Sequence, residues 1–212
     1  AEASGLLHAD LRLGANVAGA QKLLANSRLT NTGYILGGRG FVLSTDEAAV
    51  LLSTPGAEGL IHSLYNGDDI VSRPRNFKVI DCFGLSQDLL RARSPAVWQI
   101  LYDRVYPERQ VNPDPRVRTR WWLFRRSNEQ LREATAGLAR YIVTPETSKH
   151  RVFTFLQGGS RPEHRLVVTA SEDALLLGVL SSTAHVDWML AAGGTLEDRP
   201  VYNKSSCFEP FP

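Results

Sequence analysis

Apolar positions along this chain recur in short blocks, and their spacing changes character past the midpoint. Up to about residue 132 the blocks carry helix-start signals. Ser44-x-x-Glu47 is a capping box ahead of an apolar run over 48–52, which Pro55-Gly56 ends. Residues 60–64 read as a helical turn closed by Asn66-Gly67. Ser94-Pro95 joins a cap residue to a proline at the first helical position, predicting a helix through about Tyr106. Between these lie a buried strand over 77–83 and two short strands, 34–36 and 41–43, around the turn Gly37-Gly38-Arg39-Gly40. Asn112-Pro113-Asp114-Pro115 reads as a rigid loop.

Beyond residue 140 the runs at 141–144, 152–156 and 166–170 are rich in β-branched and aromatic side chains, the composition of strands. Ser181-Ser182 then caps a helix over 184–192 that Gly193-Gly194 stops. The predicted fold class is α+β, with a helical and mixed first half packed on a mainly antiparallel sheet. Residues 1–32 read as a connector packed on something else, and 33–212 as the domain proper.

At 212 residues the chain has room for one ordinary domain with a core of its own. Hydrophobic residues at 43% and charged residues at 22% argue against disorder and against a coiled coil. No run approaches the roughly 18 apolar residues of a membrane span. No charged-then-apolar leader marks export. Cys82 and Cys207 stand far apart without metal-ligand spacing, which suits two reduced thiols in the cytoplasm. The only methionine is Met189, so the sequence reads as a piece of a longer protein.

Net charge is +2, but its distribution is uneven. Residues 1–90 and 133–212 each carry 7 basic and 9 acidic side chains, whereas 91–132 carries 10 arginines, no lysine and 4 acids. An all-arginine block between acidic flanks is the pattern of a polyanion-binding surface. A solvated helix face with internal Arg–carboxylate pairs is the alternative. Arg116-x-Arg118-x-Arg120 would share one face of an extended segment, with Trp121-Trp122 and Arg125-Arg126 following. That combination suits phosphate contact, with tryptophan free to stack or to pack in the core.

Two loops offer hydrogen-bonding groups. Ser148-Lys149-His150-Arg151 joins two predicted strands, and all four side chains can donate to phosphates or base edges. Glu197 and Arg199 lie two apart in an exposed turn. A glutamate accepts from cytosine N4 and an arginine donates to guanine O6 and N7, so the pair can read one C·G base pair. A surface ion pair is the competing reading. Catalytic patterns are missing: there is no GxSxG, P-loop, GxGxxG before a helix or HExxH. Ser148, His150 and Asp187 could form a hydrolase relay only by a fortunate fold. No metal ligand set stands out.

Several blocks, in order, carry a resemblance: Arg39-Gly40-Phe41-Val42-Leu43-Ser44-x-x-Glu47-Ala48, Tyr65-Asn66-Gly67-Asp68-Asp69, Trp121-Trp122-Leu123-Phe124, and Arg140-Tyr141-Ile142-Val143-Thr144-Pro145 with Ser148-x-His150-Arg151. Gly178-Val179-Leu180-Ser181-Ser182-x-x-His185-x-x-Trp188 and Arg199-Pro200-x-Tyr202-Asn203 complete the string. From about Asp10 to Pro212 it resembles the target-recognition region of MmeI-like (type IIL and IIG) restriction–modification enzymes and related class I adenine methyltransferases. The resemblance implies a module that docks on duplex DNA and selects the site. In that family a separate domain of the same chain binds S-adenosylmethionine and methylates adenine N6, sometimes beside a nuclease. It implies that Glu197 and Arg199 fall in a segment that varies with the base pair recognised, and that the Ser148–Arg151 loop faces DNA through backbone or base contacts; Lys149 and His150 are assigned with Glu197 and Arg199 to base reading, Ser148 and Arg151 to phosphates. Arg116, Arg118, Arg120, Arg125 and Arg126 are assigned to phosphates on charge alone. The expectation is a non-catalytic specificity module without a cofactor of its own, partnered by double-stranded DNA and a methyltransferase domain, with no membrane. The alternative class is a single-stranded nucleic-acid binder stacking bases on Trp121 and Trp122.

Overall fold

A computed structural model describes residues 19–212. The first 18 residues of the expected connector lie outside the described residues. Within them, the α+β class holds: helices and two four-stranded sheets share one chain.

The first sheet begins with β1 (Thr30–Thr32) and the second with β2 (Val42–Leu43). Next comes α1 (Thr45–Leu52), started by the capping box read from sequence. Ser44 Oγ accepts from the Glu47 amide at 3.2 Å and Glu47 Oε2 accepts from the Ser44 amide at 2.8 Å. Residues 60–64 do not form the expected helical turn. They enter β3 (Ile61–Tyr65), because its backbone groups pair with β4 (Lys78–Ile80) in antiparallel register, Ile61 opposite Ile80. Between them sits α2 (Gly67–Val71), with a second capping box from Asn66 and Asp69.

The helices α3 (Gln87–Arg93), α4 (Pro95–Arg104) and α5 (Tyr106–Gln110) follow. α4 starts where predicted, but Ser94 Oγ makes no cap bond, so the start rests on Pro95. α6 (Pro115–Thr119) corrects the reading of 112–120. Asp114 Oδ1 accepts from the Arg116 amide at 2.9 Å and Pro115 occupies the first helical turn, so Arg116 and Arg118 lie on a helix, with Arg120 at its C-cap, and not on an extended segment. α7 (Glu129–Thr135) leads into the β-rich half.

There β5 (Arg140–Pro145) pairs with β6 (Thr154–Gln157) and, on its other side, with β8 (Leu166–Thr169), which pairs with β1; all are antiparallel. β7 (Arg161–Pro162) joins the other sheet, parallel to β3. Then come α8 (Ala174–Leu180), α9 (Thr183–Ala192), capped by Ser182, and the hairpin of β9 (Gly194–Leu196) and β10 (Arg199–Val201).

Alternation along β5 and β8 builds two cores from one sheet, since successive side chains point to opposite faces. Tyr141, Val143 and Val168 enter the main core, with Phe41, Leu43, Leu101 and Trp121. Ile142 and Val167 enter a second core with Leu180, Met189, Tyr202 and Phe208. A sheet buried on both faces reads as continuous apolar runs, which is why these strands were visible in sequence. Gly33 makes the crossing of the two sheets possible: a Cβ there would lie 2.3 Å from the carbonyl oxygens of Pro162 and Glu163. Cys82 and Cys207 are both buried and free. Among the described residues, no single helix is long and apolar enough to cross a membrane.

Candidate nucleic-acid interface

Of the ten arginines in 91–132, six have their guanidinium groups engaged by other groups of the chain, three of them (Arg91, Arg93 and Arg104) at the surface. Arg93 donates to the carbonyls of Gly56 and Glu58, Arg104 pairs with Glu47 at 2.6 Å, and Arg91 lies over the Trp98 ring. Arg109 is 2% exposed and donates to the Leu36 carbonyl at 2.7 Å. Arg118 donates to the carbonyls of Asn112 and Pro113, so it is a loop brace and not a free phosphate ligand. Arg132 shares the buried carboxylate of Asp81 with Arg161, at 2.8 and 2.5 Å. Burial pushes the Asp81 carboxyl up, but the bonds and charges of Arg132 and Arg161 outweigh it and hold it below the usual carboxylate range. The remaining four, Arg116, Arg120, Arg125 and Arg126, are exposed and make no side-chain bond to the described residues.

The tryptophans do not form a stacking platform. Trp121 is 3% exposed, packed edge-on against Trp98, Tyr102 and Tyr106, with its indole N–H donated to Gln87. Trp122 donates to the Leu85 carbonyl at 2.9 Å and packs against the same core. This removes the basis of the single-strand alternative.

The two polar loops are laced together. β5 runs into the 146–151 loop, where the Ser148 amide donates to the Pro200 carbonyl, the Tyr202 amide donates to the Glu146 carbonyl at 2.6 Å, and Thr147 bridges Val201. The Glu146 amide donates in turn to the Arg165 carbonyl at 2.8 Å. Loop, hairpin and the turn before β8 therefore form one backbone framework. From it Lys149 and His150 project into solvent at one tip. At the other, the two-residue connection Glu197-Asp198 closes the hairpin, with Glu197 at φ 57°. A side chain in that left-handed region costs about 1 kcal/mol, which glycine would avoid. Arg199 Nη2 reaches Glu197 Oε2 at 2.7 Å, so the two side chains point the same way and pair with each other.

Ser148 and Arg151 take different parts from those expected. Ser148 Oγ donates to the His150 carbonyl at 2.7 Å, and Asp187 is exposed on α9, with no bond among the described residues joining Ser148, the His150 ring and Asp187 into a relay. Arg151 folds inward. Its Nη1 donates to Thr144 Oγ1 at 3.0 Å and to the Pro145 carbonyl, its Nη2 donates to the Pro200 carbonyl at 3.2 Å, and its guanidinium lies over the Tyr202 ring. Burial lowers its affinity for a proton. Tyr202 Oη in turn meets His185 Nε2 at 2.9 Å. His185 is fully buried, and burial, with Arg151 nearby, lowers its pKa to about 4.

Beside the hairpin runs a groove of about 760 Å³, lined by Asn66, Glu146, His164, Arg165, Leu196 and Arg199 among others. It shares Arg39, Asn66, Glu163 and His164 with a neighbouring hollow of about 620 Å³ that reaches the 36–39 turn. Arg39 and Arg165 are exposed, line the groove and make no side-chain bond. Neither was singled out in sequence, because single arginines in turns carry no pattern. Among the described residues no cluster of His, Cys, Asp and Glu could hold a metal. The Gly37-Gly38-Arg39-Gly40 run leads into a three-residue 3-10 turn, Arg39–Phe41, and not into an α-helix.

The arrangement is that of an α+β domain with an arginine-bearing groove walled on one side by the β9–β10 hairpin. No protein-family model matches the chain, and no curated protein matches it. Among solved structures it is similar in fold to the type IIL restriction–modification enzyme MmeI, solved in complex with DNA. The TM-score is 0.74 over 95% of this chain, at 22% sequence identity. The chain spans 27% of the length of that enzyme's chain.

Proposed function

We propose that this domain is a specificity module that reads a short duplex DNA sequence for an adenine-N6 methyltransferase or restriction–modification enzyme. The observation that carries the reading is the lacing of the 146–151 loop, which bears Lys149 and His150, to the β9–β10 hairpin, which bears Glu197 and places Arg199 in the groove wall. Two tips on one rigid framework can reach base edges in a major groove in fixed register. The left-handed Glu197 supports the reading, since strain at an exposed tip is retained where the tip has work to do. The fold likeness to an enzyme solved with DNA agrees with it. Catalysis and S-adenosylmethionine belong, on this reading, to a separate domain of the parent enzyme, in the cytoplasm.

The proposed phosphate-holding set is Arg116, Arg120, Arg125 and Arg126, joined by Arg39 and Arg165, a choice supported by the exposure of these side chains. Glu197 and Arg199 exchange their mutual ion pair for the two halves of a C·G pair, each contact contributing about 1–3 kcal/mol of discrimination. The test is duplex binding followed by fluorescence anisotropy across roughly 50–200 mM salt. Replacing Arg116, Arg120, Arg125 and Arg126 together with Gln should lower the magnitude of the log–log salt slope by about 3 to 4, at about 0.9 per phosphate contact. Arg118→Gln should leave it unchanged. A wild-type domain without affinity for any duplex would defeat the reading.

A further inference from the structure

We infer that Arg151 is a positioning residue for site selection: its guanidinium bridges β5 and β10 and so fixes where the Glu197/Arg199 tip stands relative to the Lys149/His150 tip. This role rests on the DNA-reading function proposed above and adds to it the element that sets register.

The hairpin has few other ties. Among the described residues β9 and β10 form a two-stranded sheet of their own, outside both four-stranded sheets. β9 is exposed at all three residues and β10 is exposed at Arg199, so packing alone does not hold the hairpin. What fastens it is the run of backbone bonds from Ser148 and Tyr202, the Thr147–Val201 bridge, and Arg151. A guanidinium has five N–H donors in a fixed planar fork, which suits it to collect carbonyls from different segments. Arg151 takes two acceptors on β5, Thr144 Oγ1 and the Pro145 carbonyl, and one on β10, the Pro200 carbonyl. Pro200 is the residue directly after Arg199, so the bond is made one residue from the reading arginine. Proline lacks an N–H, so at Pro200 only the carbonyl can tie the strand, and it accepts from both Ser148 and Arg151. Tyr202 stacks under the guanidinium and is pinned by His185 of α9, so the brace is anchored in the second core.

A brace and a phosphate ligand predict different things for Arg151→Gln and Arg151→Lys. Duplexes are selected from a randomised pool by the wild-type domain and both variants, and the salt slope of binding is measured for each. As a brace, Arg151→Gln should blur the base-pair position that changes when Glu197→Lys and Arg199→Asp are combined, bringing discrimination there below about threefold. The other positions and the salt slope should hold. Arg151→Lys keeps the charge but not the fork, and should restore little of the lost discrimination. As a phosphate ligand, Arg151→Gln would lower the slope by about 0.9 with every position weakened alike, and Arg151→Lys would rescue it. That result overturns the inference, as does an unchanged motif in both variants. If Arg151→Gln fails to fold, Arg151→Lys and Tyr202→Phe carry the same comparison. Amide hydrogen exchange without DNA is the independent arm. Exchange at Ser148 and Tyr202 should quicken in the Arg151 variants while β5–β8 amides stay protected, and unchanged exchange overturns the brace directly. Absence of any motif from the wild type would instead overturn the reading function, and this role with it.

Discussion

Acidification should weaken the second core through His185. Its ring is fully buried among Phe153, Tyr202 and Phe211, with Nε2 on the Tyr202 hydroxyl and no partner at Nδ1. Burial and the nearby Arg151 bring its pKa to about 4, against 6.5 for a free histidine. Above pH 6.5 the ring is neutral in both folded and unfolded chains and contributes no pH dependence. Between 6.5 and 4 the unfolded chain takes up the proton and the folded one does not, so stability falls with pH. At about 1.4 kcal/mol per pH unit, the loss reaches about 3 kcal/mol and levels off below pH 4. Against a typical total of about 5–15 kcal/mol that is a large share. The assay is urea denaturation at intervals from pH 7.5 to 4, comparing wild type with His185→Asn. Subtraction removes carboxylate effects common to both, including that of Asp81. The stability difference should change by about 3 kcal/mol across the window. A difference that stays flat would show that His185 is not held neutral and would refute the reasoning.

Other consequences follow from the packing. Asp81→Asn removes the carboxylate that two largely buried arginines share, and should cost about 3–5 kcal/mol in chemical denaturation. Trp121→Ala should cost about 3–5 kcal/mol as a core truncation, and a loss under about 1 kcal/mol would return the indole to the surface. Ser44→Ala breaks one arm of the capping box of α1 and should cost about 1 kcal/mol, read as a lowered Tm.

The parts legible in sequence were those whose signal is local. Ser44-x-x-Glu47 and Ser182 name their helices because a cap and its helix lie within four residues. The runs in β5 and β8 name their strands because both faces are buried. The segment 60–64 misled because Leu60 and Leu64 fit an i, i+4 spacing, while the deciding partner, β4, lies about fifteen residues away. The signal for α6 was present: Asp114-Pro115 is the same kind of cap and proline start that revealed α4, but alternation of the arginines drew attention first. Charge counting could see ten arginines but not that six were engaged, since their partners are mostly carbonyls and rings that no charge pattern reveals. Arg151 was indistinguishable from a surface donor for that reason, with one acceptor 49 residues away at Pro200.

The central claim meets its most direct test in selection of duplexes from a randomised pool by the wild-type domain at near-physiological salt, repeated with Glu197→Lys and Arg199→Asp combined. The account predicts a short enriched motif that changes at a single base-pair position in the double variant. Enrichment of no motif, or binding that is indifferent to sequence and vanishes with salt, would contradict it.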